Sequence, residues 1–154
     1  MVARGCVFLD RDGVLNRKPP AGEYIRSWQQ FTLVPAAVEW IRLFNAMGLL
    51  VIIVTNQRGV ALGLMQQADV DEIHDRMIQE FQQRGAHIDD VFCCPHPENA
   101  CECRKPKPGL VLQACRKWNL DLTRSILIGD SDIDRKLAEN CGMPFVLVSE
   151  GRIV

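Results

Sequence analysis

The sequence predicts a three-layer α/β/α sandwich, in which helices cover both faces of a Rossmann-like parallel sheet. Short apolar runs without polar alternation recur along the chain, as expected of strands that are buried on both faces. Segments with helical periodicity separate these runs. The chain has 154 residues, of which 47% are hydrophobic, and this is enough for one compact core.

Five strands are predicted, over residues 6–9, 49–54, 91–93, 125–128 and 145–148. The first run ends at Asp10, the second at Thr55 and the fourth at Gly129 and Asp130. Ligands bind at the carboxyl ends of the strands in parallel sheets. We therefore expect these polar residues, which are far apart in sequence, to converge on one pocket.

Four helices are predicted between the strands, from Pro35 to Gly48, from Asp69 to Gly85, and over residues 108–118 and 132–141. The spacing of Asp69 and Glu72 resembles a capping box at the start of the second helix. The first two helices each have one apolar face. These faces comprise Val38, Ile41, Phe44 and Met47 in the first helix and Val70, Ile73, Met77 and Phe81 in the second.

Composition excludes several classes of protein. A net charge of -1 argues against a generally basic surface that coats nucleic acid. No apolar run approaches the length of a membrane span, and the N-terminal run is too short for a signal peptide. We therefore expect a single domain over residues 1–154, a monomer in the cytoplasm with neither nucleic-acid nor membrane partners. In that reducing compartment, clustered cysteines more often bind metal than form disulfides.

Two carboxylates, Asp10 and Asp12, follow the first strand, and Gly13 permits a turn after them. One of two such acids can attack or hold a metal while the other moves a proton. Asp130 and Asp134 follow another strand, and clustered carboxylates of this kind suit Mg²⁺. The structural alternative is that Asp10 and Asp12 are turn residues and Asp130 is a helix N-cap.

Phosphoryl transfer is the chemistry that this constellation indicates, because Lys105 and Thr55 would add a positive charge and a hydroxyl for an anionic group. Four segments, FLDRDGVLN, VTNQ, RKPKPG and IGDSDID, stand in this order along the chain. Together they resemble the haloacid-dehalogenase (HAD) superfamily of phosphatases, and the resemblance covers essentially the whole chain. It implies the HAD fold, without a large cap domain because the stretch from Asp12 to Thr55 is too short for one.

The resemblance also implies roles for these residues. Asp10 would be the nucleophile that becomes an aspartyl phosphate, and Asp12 would protonate the leaving alcohol and then activate water. Thr55 and Lys105 would contact the phosphoryl group, with Lys107 as a competitor for the lysine role. Mg²⁺ would be held by the Asp10 carboxylate, the Asp12 backbone carbonyl and Asp130, while Asp134 would position Asp130 or Lys105.

A second cluster lies in the loop over residues 94–103, where Cys94, His96, Cys101 and Cys103 form a Cys₃His set. Three thiolates and one imidazole complete a tetrahedral Zn²⁺ site, which is typical of structural zinc. Such a loop before C-R-K-P resembles the HAD subgroup that contains heptose bisphosphate phosphatases and histidinol phosphatases. In that subgroup, zinc would shape the loop that presents Arg104 and Lys105.

The substrate expected from this resemblance is D-glycero-D-manno-heptose 1,7-bisphosphate, with loss of the C7 phosphate during lipopolysaccharide or related surface-sugar synthesis. The segments GEYI and FTLVPAAVEWI resemble the heptose branch, whereas Arg58 and Leu62 replace its usual serine and arginine. The alternatives are histidinol phosphate, a non-catalytic zinc-ordered binding module and, as a minor one, a nucleic-acid 3′-phosphatase. The candidate substrate-binding residues are Arg11, Asn56, Gln57, Arg58 and Arg104.

Four further residues are expected to have minor or structural roles. Tyr24 and Trp28 lie in the loop after the first motif, and either could contact the leaving group. His74 and His87 are expected to be surface or helix-side residues rather than catalytic bases.

Overall fold

A computed structural model of the protein describes residues 2–154, so Met1, the first residue of the predicted domain, lies outside the described residues. One six-stranded sheet runs in the order β3-β2-β1-β4-β5-β6. The first five strands are parallel, and β6 pairs antiparallel with β5. The strands are β1 (Cys6–Leu9), β2 (Leu50–Asn56), β3 (Asp90–Cys94), β4 (Ile126–Gly129), β5 (Phe145–Ser149) and β6 (Arg152–Ile153).

Four α-helices connect the parallel strands, and two short 3₁₀ helices lie at Trp28–Gln30 and Leu122–Arg124. The α-helices are α1 (Pro35–Ala46), α2 (Gln67–Gln83), α3 (Gly109–Trp118) and α4 (Asp132–Cys141). The predicted three-layer α/β/α fold is confirmed, since helices cover both faces of the sheet. The segment between β1 and β2 holds a loop and α1, with no large cap among the described residues.

The core has two halves, one on each face of the sheet. In β1, Val7 and Leu9 pack with the apolar faces of α1 and α2, whereas Cys6 and Phe8 pack with α3 and α4. Both sets are fully buried, which explains why the strand is apolar at every position. Burial of each large apolar side chain contributes roughly 1.5–3 kcal/mol before conformational entropy is counted. The strand ends are therefore held on a rigid platform.

Local details differ from the sequence prediction at the helix ends. The capping box of α2 is formed by Gln66 and Asp69, whose carboxylate accepts a 2.7 Å hydrogen bond from the Gln66 N–H. The predicted Asp69–Glu72 box is wrong because Asp69 occupies the third helical position rather than the N-cap. Met47 follows the last residue of α1 and is 63% exposed, so it does not belong to the apolar face.

The strand β6 was not among the predicted elements, since two residues carry no readable periodicity. Among the described residues, no helix has both the length and the apolar character needed to cross a membrane.

Candidate active site

Three polar strand ends meet at one edge of the sheet. The central strands β2, β1 and β4 are parallel neighbours, with Leu9 opposite both Ile53 and Ile128. This register places Asp10, which follows β1, between the ends of the two flanking strands. The Asp10 N–H donates to the Ile128 carbonyl at 3.1 Å, which extends the strand pairing up to the carboxylate.

A buried ammonium lies at the centre of this edge. Lys105 is 4% exposed, and its Nζ donates to Asp10 Oδ1 at 2.9 Å, to Asp134 Oδ1 at 2.8 Å and to the Val54 carbonyl at 3.0 Å. These three acceptors match the three N–H donors of an ammonium. Burial alone would lower the pKa of Lys105, but Asp10 and Asp134 raise it above its usual value, so the side chain is charged.

The backbone of Lys105 is fixed by β2. The Asn56 side chain accepts from the Lys105 N–H at 3.0 Å and donates to the Lys105 carbonyl at 3.2 Å. Lys107, the competing lysine, instead donates to the Cys101 carbonyl at 2.9 Å. The structure thus brings Lys105, and not Lys107, against Asp10.

The carboxylates of Asp10, Asp130 and Asp134 could share one cation, because oxygen atoms from the three lie within 4.8 Å of one another. Burial raises the pKa of Asp10 well above its usual value, and Asp134 and Asp12 raise it further, while Lys105 lowers it. Asp130 Oδ1 is buried without a hydrogen-bond partner. This excess of negative charge and the unpaired oxygen fit a hard divalent cation such as Mg²⁺.

Both carboxylate oxygens of Asp134 already accept hydrogen bonds from side chains, whereas Asp130 Oδ1 accepts none. Asp134 Oδ1 accepts from Lys105, and Asp134 Oδ2 accepts from the Ser131 hydroxyl at 3.1 Å. Burial alone would raise the pKa of Asp134, but Lys105 lowers it, so Asp134 stays ionised and positions the ammonium. Ser131 is the N-cap of α4, so the alternative role of Asp130 as a helix cap is wrong.

The turn after β1 brings its backbone against Asp130. Gly13 has a φ of +87°, and a Cβ at this position would collide with the Asp130 carboxylate. Lys18, further along the same loop, donates from its Nζ to Asp130 Oδ2 at 2.8 Å. No sequence signal singles out Lys18, since it reaches the site through the path of an irregular loop.

Asp12 is held by donors from three directions. Its Oδ1 accepts from Arg11 Nη2 at 2.8 Å and from Asn16 Nδ2 at 3.0 Å, and its Oδ2 accepts from Gln57 Nε2 at 3.2 Å. Burial alone would raise the pKa of Asp12, but the guanidinium and these hydrogen bonds lower it below its usual value. Asp12 therefore rests as a carboxylate.

Two of the predicted substrate-binding residues lie beneath the pocket instead. Arg11 and Gln57 are both 0% exposed, so their side chains cannot touch a substrate in this conformation. Arg11 Nε and Nη2 donate to Asp12 Oδ1, and Gln57 Nε2 donates to both Asp12 Oδ2 and Thr55 Oγ1. Thr55 is 1% exposed, and its Oγ1 accepts from Gln57 Nε2 at 2.8 Å.

Two adjoining cavities of about 180 and 200 Å³ open at this edge and share Arg104, Lys105 and Ile133. The first surrounds Asp10 and Asp12, and Asn56 also lines it. The second lies towards Glu98 and Lys107.

Two arginines flank Glu98 near the second cavity. Arg58 Nη1 lies 3.1 Å and Arg104 Nη2 4.0 Å from Glu98 Oε1, and Arg58 Nε donates to the Tyr24 hydroxyl at 3.3 Å. Tyr24 therefore lies at this rim. Trp28 instead stacks on Phe31 at 4.8 Å and packs against the core.

The cysteine–histidine cluster is assembled as a compact set. Distances from Cys103 Sγ to Cys94 Sγ, Cys101 Sγ and His96 Nδ1 are 3.1, 3.5 and 3.2 Å. Ligand atoms in a tetrahedral Cys₃His zinc site lie about 3.5–3.8 Å apart, given Zn–S and Zn–N bonds of about 2.3 and 2.0 Å. None of the described cysteines forms a disulfide. The four donors are gathered slightly more tightly than around a bound ion, and their chemistry, three thiols and one imidazole, fits zinc.

Known proteins resemble this chain over most of its length. A curated phosphatase of Rhodopseudomonas palustris, named D-glycero-beta-D-manno-heptose-1,7-bisphosphate 7-phosphatase, is 41% identical, and the match covers 92% of this chain and 81% of the relative. A Mycobacterium bovis phosphatase named for the alpha anomer is 42% identical, with 88% and 72% covered. A HAD-hydrolase-like family model matches residues 102–153. The chain belongs to the haloacid-dehalogenase phosphatases.

A solved structure supports the same grouping. The D,D-heptose 1,7-bisphosphate phosphatase of B. bronchiseptica, complexed with magnesium and phosphate, matches this HAD phosphatase with a TM-score of 0.87. The two chains are 34% identical, and the match covers 96% of this chain and 83% of the other. The fold and the family inferred from the four motifs are thereby confirmed.

Zinc binding by the Cys₃His loop of this HAD phosphatase can be tested directly. We expect about one equivalent of zinc per chain after purification without chelator. Replacing both Cys101 and Cys103 with serine should abolish zinc binding and lower the free energy of unfolding by about 3 kcal/mol or more, because metal binding is coupled to the folding of such loops. Atomic absorption and urea unfolding measure the two effects.

Cys115→Ser is the matched control, because Cys115 lies on α3, outside the Cys₃His set. It should retain the full equivalent of zinc. Wild-type protein without zinc, or a double variant that still binds it, would contradict a structural zinc site.

His74 is a residue whose importance sequence reasoning missed. It is 7% exposed, and its Nε2 lies 3.0 Å from Arg11 Nη1. Its place four residues after Val70 and three before Met77, on the apolar face of α2, was the signal that it is buried. Of the two places expected for His74, the surface or the side of the helix, the structure shows the second.

This burial predicts a pH dependence of stability. Burial, together with the nearby Arg11 guanidinium, lowers the pKa of His74 to about 3. Between about pH 6.5 and pH 3, the unfolded chain binds a proton at this residue that the folded chain does not, so stability falls as pH falls, by at most about 1.4 kcal/mol per pH unit. His74→Gln lacks this titration.

Urea unfolding of wild type and His74→Gln at pH 6.5, 5.5 and 4.5 measures the difference. We expect wild type to lose stability relative to the variant at each step. A constant difference across these pH values would show that His74 does not remain neutral on folding.

Proposed function

We propose that this HAD phosphatase removes the C7 phosphate of D-glycero-D-manno-heptose 1,7-bisphosphate through an aspartyl phosphate on Asp10. The names of its relatives support the substrate. The carboxylate of Asp10, at the end of the central strand and beside the Lys105 ammonium, supports the mechanism. The first cavity would take the phosphate that leaves.

The observation that best supports a bisphosphate substrate is the missing hydrogen-bond partner of the Arg104 guanidinium. The Arg104 side chain borders both cavities, and its Nη1 is buried without a hydrogen-bond partner. An unpaired buried guanidinium N–H is costly, and phosphate is the anion that arginine binds best through two parallel hydrogen bonds. Arg58, whose guanidinium is paired among the described residues with the exposed Glu98 and with Tyr24, would bind the same second phosphate.

In the first step, a carboxylate oxygen of Asp10 forms a bond to phosphorus as the bond from phosphorus to O7 breaks. Asp12 gives its proton to O7, so that the sugar leaves as an alcohol. Asp12 is a carboxylate hydrogen-bonded to Arg11 before the substrate binds. The approach of a dianionic phosphate would raise the pKa of Asp12, so that it takes up a proton. Lys105 and the Thr55 hydroxyl stabilise the charge on the transferring phosphoryl oxygens.

In the second step, Asp12, again a carboxylate, accepts a proton from a water molecule. The water oxygen bonds to phosphorus while the bond from phosphorus to Asp10 breaks, which releases inorganic phosphate and restores the Asp10 carboxylate. Asn56 and Asp134 keep Lys105 in place during both steps, the first through its backbone and the second through its ammonium.

Mg²⁺ would be held by Asp10, the Asp12 backbone carbonyl and Asp130, and it would neutralise phosphate charge when bound. Zn²⁺ would be held by Cys94, His96, Cys101 and Cys103, away from the reacting atoms, and would stiffen the loop before Arg104.

We further propose that the protein is a cytoplasmic monomer over a single domain and serves heptose and lipopolysaccharide synthesis.

A substrate panel tests this proposal. Phosphate release should be measured with both anomers of the heptose bisphosphate, histidinol phosphate, fructose 1,6-bisphosphate and a nucleotide. We expect kcat/KM for one heptose anomer to exceed that for histidinol phosphate by at least about tenfold, because charged hydrogen bonds to the second phosphate contribute at least ~1.5 kcal/mol.

Arg104→Gln should remove most of this preference, mainly by raising KM for the bisphosphate. Arg42→Gln is its control, since Arg42 lies on α1 and pairs with Glu39. A tenfold preference for histidinol phosphate would overturn the substrate and favour the alternative branch.

A further inference from the structure

A chain of contacts leads from helix α2 to the proton-transferring carboxylate. His74 Nε2 lies 3.0 Å from Arg11 Nη1, and Arg11 Nε and Nη2 lie 3.0 and 2.8 Å from Asp12 Oδ1. The guanidinium of Arg11 thus donates from Nε and Nη2 to Asp12 and from Nη1 to His74. The described residues that line the cavity around Asp10 include Asp12 but not His74, so His74 has no direct route to the substrate.

The direction of the hydrogen bond between His74 and Arg11 follows from their chemistry. A guanidinium has only donors, so His74 Nε2 must accept, and the ring hydrogen is on Nδ1. The imidazole is therefore neutral in this contact. Arg11 is 0% exposed, so water cannot substitute for this acceptor without a rearrangement.

We propose that His74 is a positioning residue, which orients the Arg11 guanidinium so that it holds the Asp12 carboxylate ready for proton transfer. The inference rests on the proposed function, in which Asp12 exchanges protons with the leaving alcohol and with water. A carboxylate bonded to Arg11, Asn16 and Gln57 has little rotational freedom, and proton transfer depends on orientation. Loss of the His74 acceptor frees Arg11 to turn towards other acceptors.

Two substitutions separate this role from simple packing. In His74→Gln, the amide Oε1 reaches about as far as the imidazole Nε2 and can accept the same hydrogen bond. His74→Leu fills a comparable volume without any acceptor. If His74 only fills space, leucine should be tolerated at least as well as glutamine, because His74 is buried on the same helix as the core residues Ile73 and Met77.

The decisive measurement compares two substrates whose leaving groups differ. The preferred sugar phosphate needs protonation of its leaving alcohol. The leaving group of p-nitrophenyl phosphate is a stable phenolate, which needs far less protonation. For His74→Leu, we expect kcat/KM to fall about tenfold or more on the sugar phosphate and less than about threefold on p-nitrophenyl phosphate. His74→Gln should stay within about threefold of wild type on both substrates, and KM should change little, since His74 lies outside the pocket.

Asp12→Asn serves as the reference variant. If Asp12→Asn shows the leaving-group dependence and His74→Leu does not, the role of His74 is refuted while the proposed function stands. If Asp12→Asn shows no such dependence, the proton-transfer role of Asp12 is wrong and both proposals fall.

A spectroscopic measurement keeps the inference testable if His74→Leu does not fold. In ¹⁵N-labelled wild-type protein, the shifts of the two ring nitrogens report which of them carries the hydrogen. We expect the neutral form with hydrogen on Nδ1, as the contact with Arg11 requires. A hydrogen on Nε2 would refute the contact and the proposal with it.

Discussion

Asp10→Asn is expected to lower kcat by about 10⁴-fold or more, because it replaces the attacking carboxylate with an amide of nearly the same shape. The side chain is 13% exposed and lies between the Lys105 ammonium and the carboxylates of Asp130 and Asp134. The other carboxylates that line the cavity, Asp12 and Asp134, are both held by hydrogen bonds to neighbouring side chains. No neighbouring group can therefore replace Asp10 as the nucleophile.

Asp10→Asn should not lose thermal stability along with its activity. Burial and the nearby carboxylates raise the pKa of Asp10, so its ionised form is destabilised in the folded chain. We therefore expect Asp10→Asn to have a melting temperature equal to or above that of wild type. A stable but inactive variant would separate catalysis from folding, as is typical of active sites where function costs stability.

Steady-state phosphate release measures the loss of activity, and acid quench with ³²P-labelled substrate should trap labelled protein only in wild type. Asp132→Asn is the matched control, since Asp132 lies at the start of α4 near the site but is fully exposed. It should keep normal turnover. Retention of more than one hundredth of wild-type activity in Asp10→Asn would refute the aspartyl-phosphate mechanism.

Lys105→Met should damage both activity and stability. The Lys105 side chain is 3% exposed, and its ammonium neutralises Asp10 and Asp134, which would otherwise face each other without a counterion. Removal of one member of a buried ion network costs about 3–5 kcal/mol, and some of this is recovered when a carboxylate takes up a proton. We expect kcat to fall roughly 10³-fold, since the positive charge beside the proposed nucleophile and the transferring phosphoryl group is lost.

The control is Lys107→Met, which decides between the two lysines of the RKPKPG segment. The Lys107 side chain is 42% exposed and contacts the zinc loop through the Cys101 carbonyl. We expect its replacement to change kcat by less than about threefold and the free energy of unfolding by less than about 1 kcal/mol. Equal losses for both variants would show that the position of Lys105 against Asp10 is not what catalysis requires.

Many elements of this molecule could be predicted because their signals are local. The strand β1 is a continuous apolar run, and the first polar residue after it is Asp10, so the strand and the carboxylate at its end are specified together. The side chains of the Cys₃His cluster lie within ten residues, so proximity in sequence almost ensures proximity in space. The choice of Lys105 over Lys107 came from the resemblance of the motif, which the geometry now explains.

The sequence by itself determined the α/β fold, the edge of the sheet at which the pocket lies and the carboxylates and ammonium that meet there. Parallel strands bring their carboxyl ends to one edge whatever the side chains around them. Only the tertiary structure decided that Arg11 and Gln57 turn inward to Asp12, that His74 supports Arg11 and that Lys18 reaches Asp130. The direction of a polar side chain depends on which acceptors and donors are brought near it by distant segments, and no local pattern encodes those neighbours.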